Sequence, residues 1–300
     1  MSLSEKRRGE LYIFFEVFLW GFFPVITVLS YAVLPSVLSF LWSSVFAALF
    51  FAGMLTYRKR WHEVKNPIVW KYSAIIALCI GVLFYGLYFL GLQTTTPSNA
   101  AIIALFEVFT TFIFFSVLGR AAPSREHSAG AILMVVGAIV VLAQNFSGFH
   151  AGDFLILAGT FFTPAGNYFQ QKARRIASSE TIMFLRSVLS IPFVVLFSYA
   201  VHVNVIAVDI RPVLVFLLIN GVVLLGFSKM LWIEAIHRIP VPKATALQAL
   251  SPLWTILFAW VFLFQVPTWW QLASLVPFGL GVLFLTDQIS LRQGKDAKLA

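Results

Sequence analysis

The sequence predicts an all-α polytopic membrane protein of ten transmembrane helices, arranged as two inverted five-helix repeats with both termini in the cytoplasm. Three observations carry the prediction. Long apolar runs recur along the 300 residues, 60% of which are hydrophobic and only 11% charged. The cationic residues gather in alternate loops. The second half of the chain matches the first.

So few charges could not cover a water-soluble fold with 32 Phe and 9 Trp. A helix needs about 20 apolar residues to cross a hydrocarbon core. Segments 11–30, 36–56, 70–92, 98–118, 128–145, 153–173, 180–201, 213–236, 243–264 and 269–287 meet that requirement. Between them lie turn residues and charge, as in "YRKRWHEVKNP" (57–67), "QTTTPSN" (93–99), "QQKARRIASSE" (170–180) and "HRIPVPK" (237–243). No alternating ten-residue pattern of a β-barrel is present. The N-terminal stretch has basic residues followed by an apolar run. It lacks a small-residue cleavage site and carries Glu16, so it reads as an uncleaved first span.

Orientation follows from Lys and Arg. With the N-terminus in the cytoplasm, eighteen of the 21 fall on the cytoplasmic side and one, Arg211, on the other; Arg186 and Lys229 lie within spans. That asymmetry predicts two cytoplasmic termini and an even number of spans. It also accounts for the net charge of +9 without a nucleic-acid partner. The single cysteine, Cys79, excludes an internal disulfide and a multi-Cys metal site.

"AIIALFEVFTTFIFFSVLGR" (101–120) aligns without a gap with "ALQALSPLWTILFAWVFLFQ" (246–265), at an offset of 145. "GELYIFF" (9–15) matches "GDFLILA" (152–158), and "GAIVVLAQ" (137–144) matches "GVLFLTDQ" (281–288), at offsets of 143 and 144. Five spans per copy is an odd number, so the copies are inverted, the usual construction for alternating access around a midplane site. The predicted divisions are a cytoplasmic tail (1–10), a first repeat (11–146), a second repeat (152–288) and a C-terminal tail (289–300).

At these residues the chain resembles the drug/metabolite transporter superfamily, in its ten-helix EamA-type branch. "FLWGFFPV" (18–25) is similar to that family's Trp-Gly signature in span 1. "MLWIEAIHRIPVPKATAL" (230–247) resembles its junction of spans 8 and 9, and "LSPLWTILFAWVFL" (250–263) its Leu-x-Pro pattern. The sequence departs from the family pattern at "FEVFTT" in span 4, at Arg120 and Gln265, where glutamates are common, and in span 2, which lacks arginine. The resemblance implies a secondary transporter of small organic solutes, often an exporter. Its cavity would be lined by spans 1, 3, 4, 6, 8 and 9, with spans 5 and 10 peripheral.

Ionisable residues inside spans are functional candidates. Here they are Glu16, Glu107, Arg186 and Lys229. Glu107 lies nearest mid-membrane. It could bind a substrate amine, carry a coupling proton, or form a structural pair with Lys229 or Arg186. Lys229 could anchor a substrate carboxylate or phosphate, or serve only as a counter-ion to Glu107. Arg186, on a span that need not face the cavity, could snorkel to the interface. Glu16 could be interfacial or pair with Arg186. Glu234 and His237 read as boundary residues.

Trp20, Tyr85, Tyr88, Tyr168 and Trp254 lie on helices that the resemblance assigns to the cavity, and each could equally be packing core. Asn167, Gln171, Gln248 and Ser251 could line the cavity or bridge helices. Pro24, Pro164 and Pro252 interrupt spans 1, 6 and 9 and could mark gates or static kinks. Gly130 and Gly137, seven residues apart on span 5, suit close helix packing.

No Walker loop, metal-ligand spacing or Gly-x-Ser-x-Gly element occurs, so the chain reads as a non-enzyme without a cofactor. The expected function is secondary-active transport, by export or exchange, of small metabolites such as amino acids or related zwitterions. An intramembrane enzyme is the alternative. The expected partners are a small-molecule substrate and the lipid bilayer, with the chain a monomer or homodimer in a prokaryotic inner membrane.

Overall fold

The computed structural model describes residues 4–119, 125–143, 150–203 and 209–285, and every regular element among them is helical. Arg120, the tail 289–300 and the ends of the third repeat match lie outside the described residues. The helical segments are α1 (Glu5–Ser30), α2 (Ser36–Tyr57), α3 (Pro67–Gly91), α4 (Pro97–Gly119), α5 (Arg125–Ala143), α6 (Ala151–Gly159 and Thr163–Ala173), α7 (Ser179–Ala200), α8 (Arg211–Arg238), α9 (Val241–Leu263) and α10 (Trp269–Leu285). Seven of them, α1 to α4 and α7 to α9, are each long and apolar enough to cross a membrane. The chain is an integral, multi-pass membrane protein.

Local chemistry sets the starts. Ser4 accepts from the Arg7 N–H, so α1 begins at Glu5, six residues before the apolar run that predicted it. Asn66-Pro67 opens α3 and Thr96-Pro97 opens α4, each with the cap side chain accepting a backbone N–H and proline in the first turn. Ser178 caps α7 in the same way.

Three predicted spans are interrupted. In α4 the break falls at Leu105, in α6 at 160–162, and in α9 at 249–250. At each, N–H groups bond three residues back instead of four: Leu105 to Ile102, Phe161 to Ala158, and Ala249 to Ala246. Pro164 and Pro252 therefore sit in the first turns of new helical pieces, whereas Pro24 lies inside a continuous α1. Pro164 has no N–H to give the Thr160 carbonyl. That carbonyl accepts instead from the Thr110 hydroxyl of α4 at 2.8 Å and the Thr163 hydroxyl at 2.9 Å.

The irregularities repeat. The α4 break at Leu105 and the α9 break at 249–250 stand at the offset of the sequence repeat. A π-helical stretch occupies Ala77–Phe84 in α3 and Ile219–Ser228 in α8. The residue that follows each stretch is Tyr85 in one and Lys229 in the other, again 144 positions apart.

α1 packs against α8 and α9, α2 against α7 and α8, and α3 against α6 and α7. Close approach rests on glycine where no side chain fits. A Cβ on Gly21 of the Trp-Gly pair would lie 2.5 Å from Trp254 Cβ of α9. α5 and α10 pack chiefly on one another, with Gly130, Gly137 and Gly281 in the seam.

Candidate functional site

The interruptions converge on one internal cavity of about 50 Å³. That is room for a few waters and far less than the ~300–1,000 Å³ of an open small-molecule pocket. Side chains of α1, α3, α4, α6, α7, α8 and α9 line it. A larger hollow of about 440 Å³ between α2, α3 and α7 is lined by apolar residues only and offers no polar recognition.

Lys229 and Glu16 form an ion pair at 2.5 Å, with residue exposures of 6% and 0%. Gln248 Nε2 reaches both oxygens of Glu16 at 3.3 Å. The Lys229 ammonium also stands 3.2 Å from the centroid of the Trp20 ring, which stacks on Phe23. Glu16 and Trp20 are four residues apart, so α1 presents both to Lys229 from one face.

Glu107 stands in the first turn after the α4 break. Its carboxylate accepts from Asn167 Nδ2 at 3.0 Å, and Asn167 Oδ1 accepts from Trp232 Nε1 at 3.1 Å. No Lys, Arg or His of the described residues lies within the 4.0 Å of an ion pair. Lys229 is thus assigned to Glu16 and not to Glu107.

Arg186 does not snorkel. It is 3% exposed and lines the cavity from α7. Its guanidinium stands 5.4 Å from the Tyr85 ring centroid and donates to the Leu225 carbonyl at 3.4 Å. It pairs with no carboxylate among the described residues, so the expectation of a Glu16–Arg186 pair gives way to Glu16–Lys229. Gly81, in the π stretch of α3, lets α7 come this close: a Cβ there would meet Arg186 Cγ at 3.5 Å and overlap Ser190.

Of the residues singled out from sequence, Glu107, Lys229, Trp20, Tyr85, Asn167, Gln248 and Ser251 line the cavity. Tyr88, Tyr168 and Trp254 do not. Tyr88 is one turn beyond Tyr85, packed between Phe23 and Phe84. Tyr168 turns away from its neighbour Asn167 onto Phe114 and Phe115, under the Lys172 ammonium at 4.3 Å. Trp254 packs on Phe18 and Phe258, in the α1–α9 seam. Gln171 bridges helices, donating to the Ile236 carbonyl at 2.6 Å. Pro24, Pro164 and Pro252 are all buried, and none of them lines the cavity. Trp232 was not singled out, though it lies three residues after Lys229. Among the described residues no group of His, Cys, Asp and Glu could hold a metal ion.

Polar contacts join the helices on either side of the cavity. At the end carrying the N-terminus, Arg174 and Arg238 hold Glu234 at 2.8 and 2.5 Å, Arg238 reaches Glu5 at 3.0 Å, and Lys243 holds Glu10 at 2.5 Å. Arg58 pairs with Glu180 at 2.5 Å across the two halves. Glu63, in the turn between α2 and α3, takes the Ser178 N–H and the Ser178 and Thr181 hydroxyls, all at 2.7 Å. Burial alone would raise its pKa, but these three donors hold its carboxyl below the usual range. At the far end Gln271 donates to Asn99 at 2.6 Å, the Gly152 N–H donates to Thr94 at 3.0 Å, and the Thr95 hydroxyl donates to the Asp153 carboxylate.

A helical multi-pass bundle with two like halves and ionisable groups around an internal cavity is the architecture of a membrane transporter. The chain belongs to the EamA-like transporter family of the drug/metabolite transporter superfamily, matching the family pattern twice, over residues 7–143 and 150–287. An uncharacterized transporter of Archaeoglobus fulgidus is 23% identical over 207 residues, which are 66% of this chain and 70% of that one. A protein known from a crystal structure shares the fold with a TM-score of 0.70, over 94% of this chain and 98% of its own, at 18% identity.

Proposed function

We propose that the protein is a ten-span secondary carrier with both termini in the cytoplasm, exporting or exchanging small organic metabolites such as amino acids or related zwitterions. Its two inverted halves would expose the cavity to either side in turn. The observation that carries the reading is Glu107. It is a carboxylate set at a helix break, opening onto the cavity, with a hydrogen bond from Asn167, the field of Lys229 nearby and no ion pair of its own among the described residues. Such a group is suited to a substrate amine or a coupling proton. The repeat-related breaks and π stretches support a pair of hinged halves, because each loosens a helix at the level of the cavity.

Counterflow in proteoliposomes against a panel of radiolabelled metabolites, from about pH 5.5 to pH 8, tests the reading. The native protein is expected to exchange a solute that is recovered chemically unchanged, with a pH dependence that Glu107→Gln abolishes. A folded Glu107→Gln protein that exchanges like the native one at every pH would remove Glu107 from the mechanism. A chemically altered solute would instead favour an enzyme.

A further inference from the structure

The four ionisable groups at the cavity do not balance in pairs. Lys229 and Glu16 satisfy each other, with Gln248 and the Trp20 ring completing their surroundings. That leaves Arg186 and Glu107, one cation and one anion, each lining the cavity and neither ion-paired among the described residues. A charge as enclosed as Arg186 is costly without a counter-charge. The Tyr85 ring and hydroxyl and one long hydrogen bond to a carbonyl are neutral partners and compensate it only in part. A third group is also unfilled. Gln170 lines the same cavity at 1% exposure, and its Oε1 accepts no hydrogen bond.

We infer that Arg186, and not Lys229, is the anion anchor of the cavity: its guanidinium takes a carboxylate of the ligand while Glu107 takes the ligand's ammonium, so that the ligand is a small zwitterion held at both ends. This rests on the proposed reading of the cavity as a transport site. A guanidinium presents a planar fork that matches both oxygens of a carboxylate, which the rounded ammonium of Lys229 cannot do. Gln170 Oε1 offers a further acceptor for an ammonium N–H. The ligand then brings one counter-charge to each of the two groups that have no ion pair. A monocation such as an amine would leave Arg186 unmatched, and a simple carboxylate would leave Glu107 unmatched. Arg186 therefore acts as a selectivity residue, rejecting amines that lack a carboxylate.

The test is counterflow with the proteinogenic L-amino acids and, in parallel, their decarboxylation products. The native protein is expected to exchange at least one amino acid and to exclude the matching amine. Arg186→Gln is expected to raise the KM for the amino acid by at least about tenfold and to admit the amine, because the opposing cation is gone. Arg186→Lys keeps the charge but not the fork. It is expected to raise the amino-acid KM and still exclude the amine, and it carries the comparison if the glutamine variant does not fold. A folded Arg186→Gln protein that still excludes the amine, or a folded Arg186→Lys protein with the native amino-acid KM, overturns the anchor while native exchange still upholds transport. A native protein that exchanges neither amino acids nor amines removes the zwitterion. One that exchanges no metabolite at all removes the transport reading itself.

Discussion

Lys229 and Glu16 are bonded at 2.5 Å within the bundle, one from α8 and one from α1, and the Trp20 ring closes over the ammonium. Removing one partner leaves the other enclosed and unmatched. Lys229→Met is expected to destabilise the protein by about 3–5 kcal/mol, and Glu16→Met by a similar amount. Combining them removes both charges, so the double variant is expected to be more stable than either single one. Thermal unfolding of the detergent-solubilised variants reads this directly. Additive losses in the double variant would mean that the two groups do not act as a pair.

Asn167 joins Glu107 to Trp232, donating to the first and accepting from the second. Asn167→Ala strips the carboxylate of one neutral donor and leaves the indole N–H without its acceptor. The loss of one such contact in an enclosed site costs about 1–3 kcal/mol, which as a rate is roughly tenfold or more. Initial exchange rates in proteoliposomes, normalised to folded protein, are expected to fall by that factor. Asn167→Asp sets a second carboxylate beside Glu107 and is expected to fall further. Unchanged rates in both variants would detach Asn167 from the site.

How much of this site was legible beforehand depends on what a helix face reveals. Hydropathy located the apolar helices, because apolar length is written residue by residue. The Lys229–Glu16 pairing was not among those expected, which set Lys229 with Glu107 and Glu16 with Arg186, because four intramembrane charges allow more than one pairing. Whether Arg186 faces the cavity was left open, because its facing depends on how near α7 comes to α3, and Gly81 permits that approach. Tyr168 was put forward with Asn167, yet successive helical residues point in different directions, so at most one faces the cavity. The break at Leu105 had no signal at all, since it contains neither proline nor glycine. Only its repeat partner beside Pro252 carried one.

α5 and α10 meet through glycine, away from the cavity. A side chain at Gly281 would place its Cβ 2.9 Å from Met134 Sδ and 3.0 Å from the Gly130 carbonyl oxygen, and the carbonyl cannot yield. Gly281→Leu is expected to cost about 1–3 kcal/mol by overpacking. The KM for exchange should stay unchanged, because neither helix lines the cavity. Gly279, on the same helix, has nothing within 4 Å of a built Cβ, so Gly279→Leu is the matched control and is expected to be neutral. Equal melting temperatures for the two variants would show that the seam is not closely packed.

Glu63 ties the turn after α2 to the start of α7, so it fastens the first half of the chain to the second. Its carboxyl is held below the ordinary range by the donors around it. A carboxyl depressed on folding adds stability above its unfolded value of about 4.3, and that stability is lost as the pH falls through the folded value. The native protein is therefore expected to lose melting temperature more steeply than Glu63→Gln between about pH 5 and pH 3. Glutamine keeps an acceptor but has no charge to lose, so the gap between the two should be widest near neutrality and close in acid. Melting curves of both proteins across that range decide it. Parallel curves would mean that the Glu63 charge does not contribute to holding the halves together.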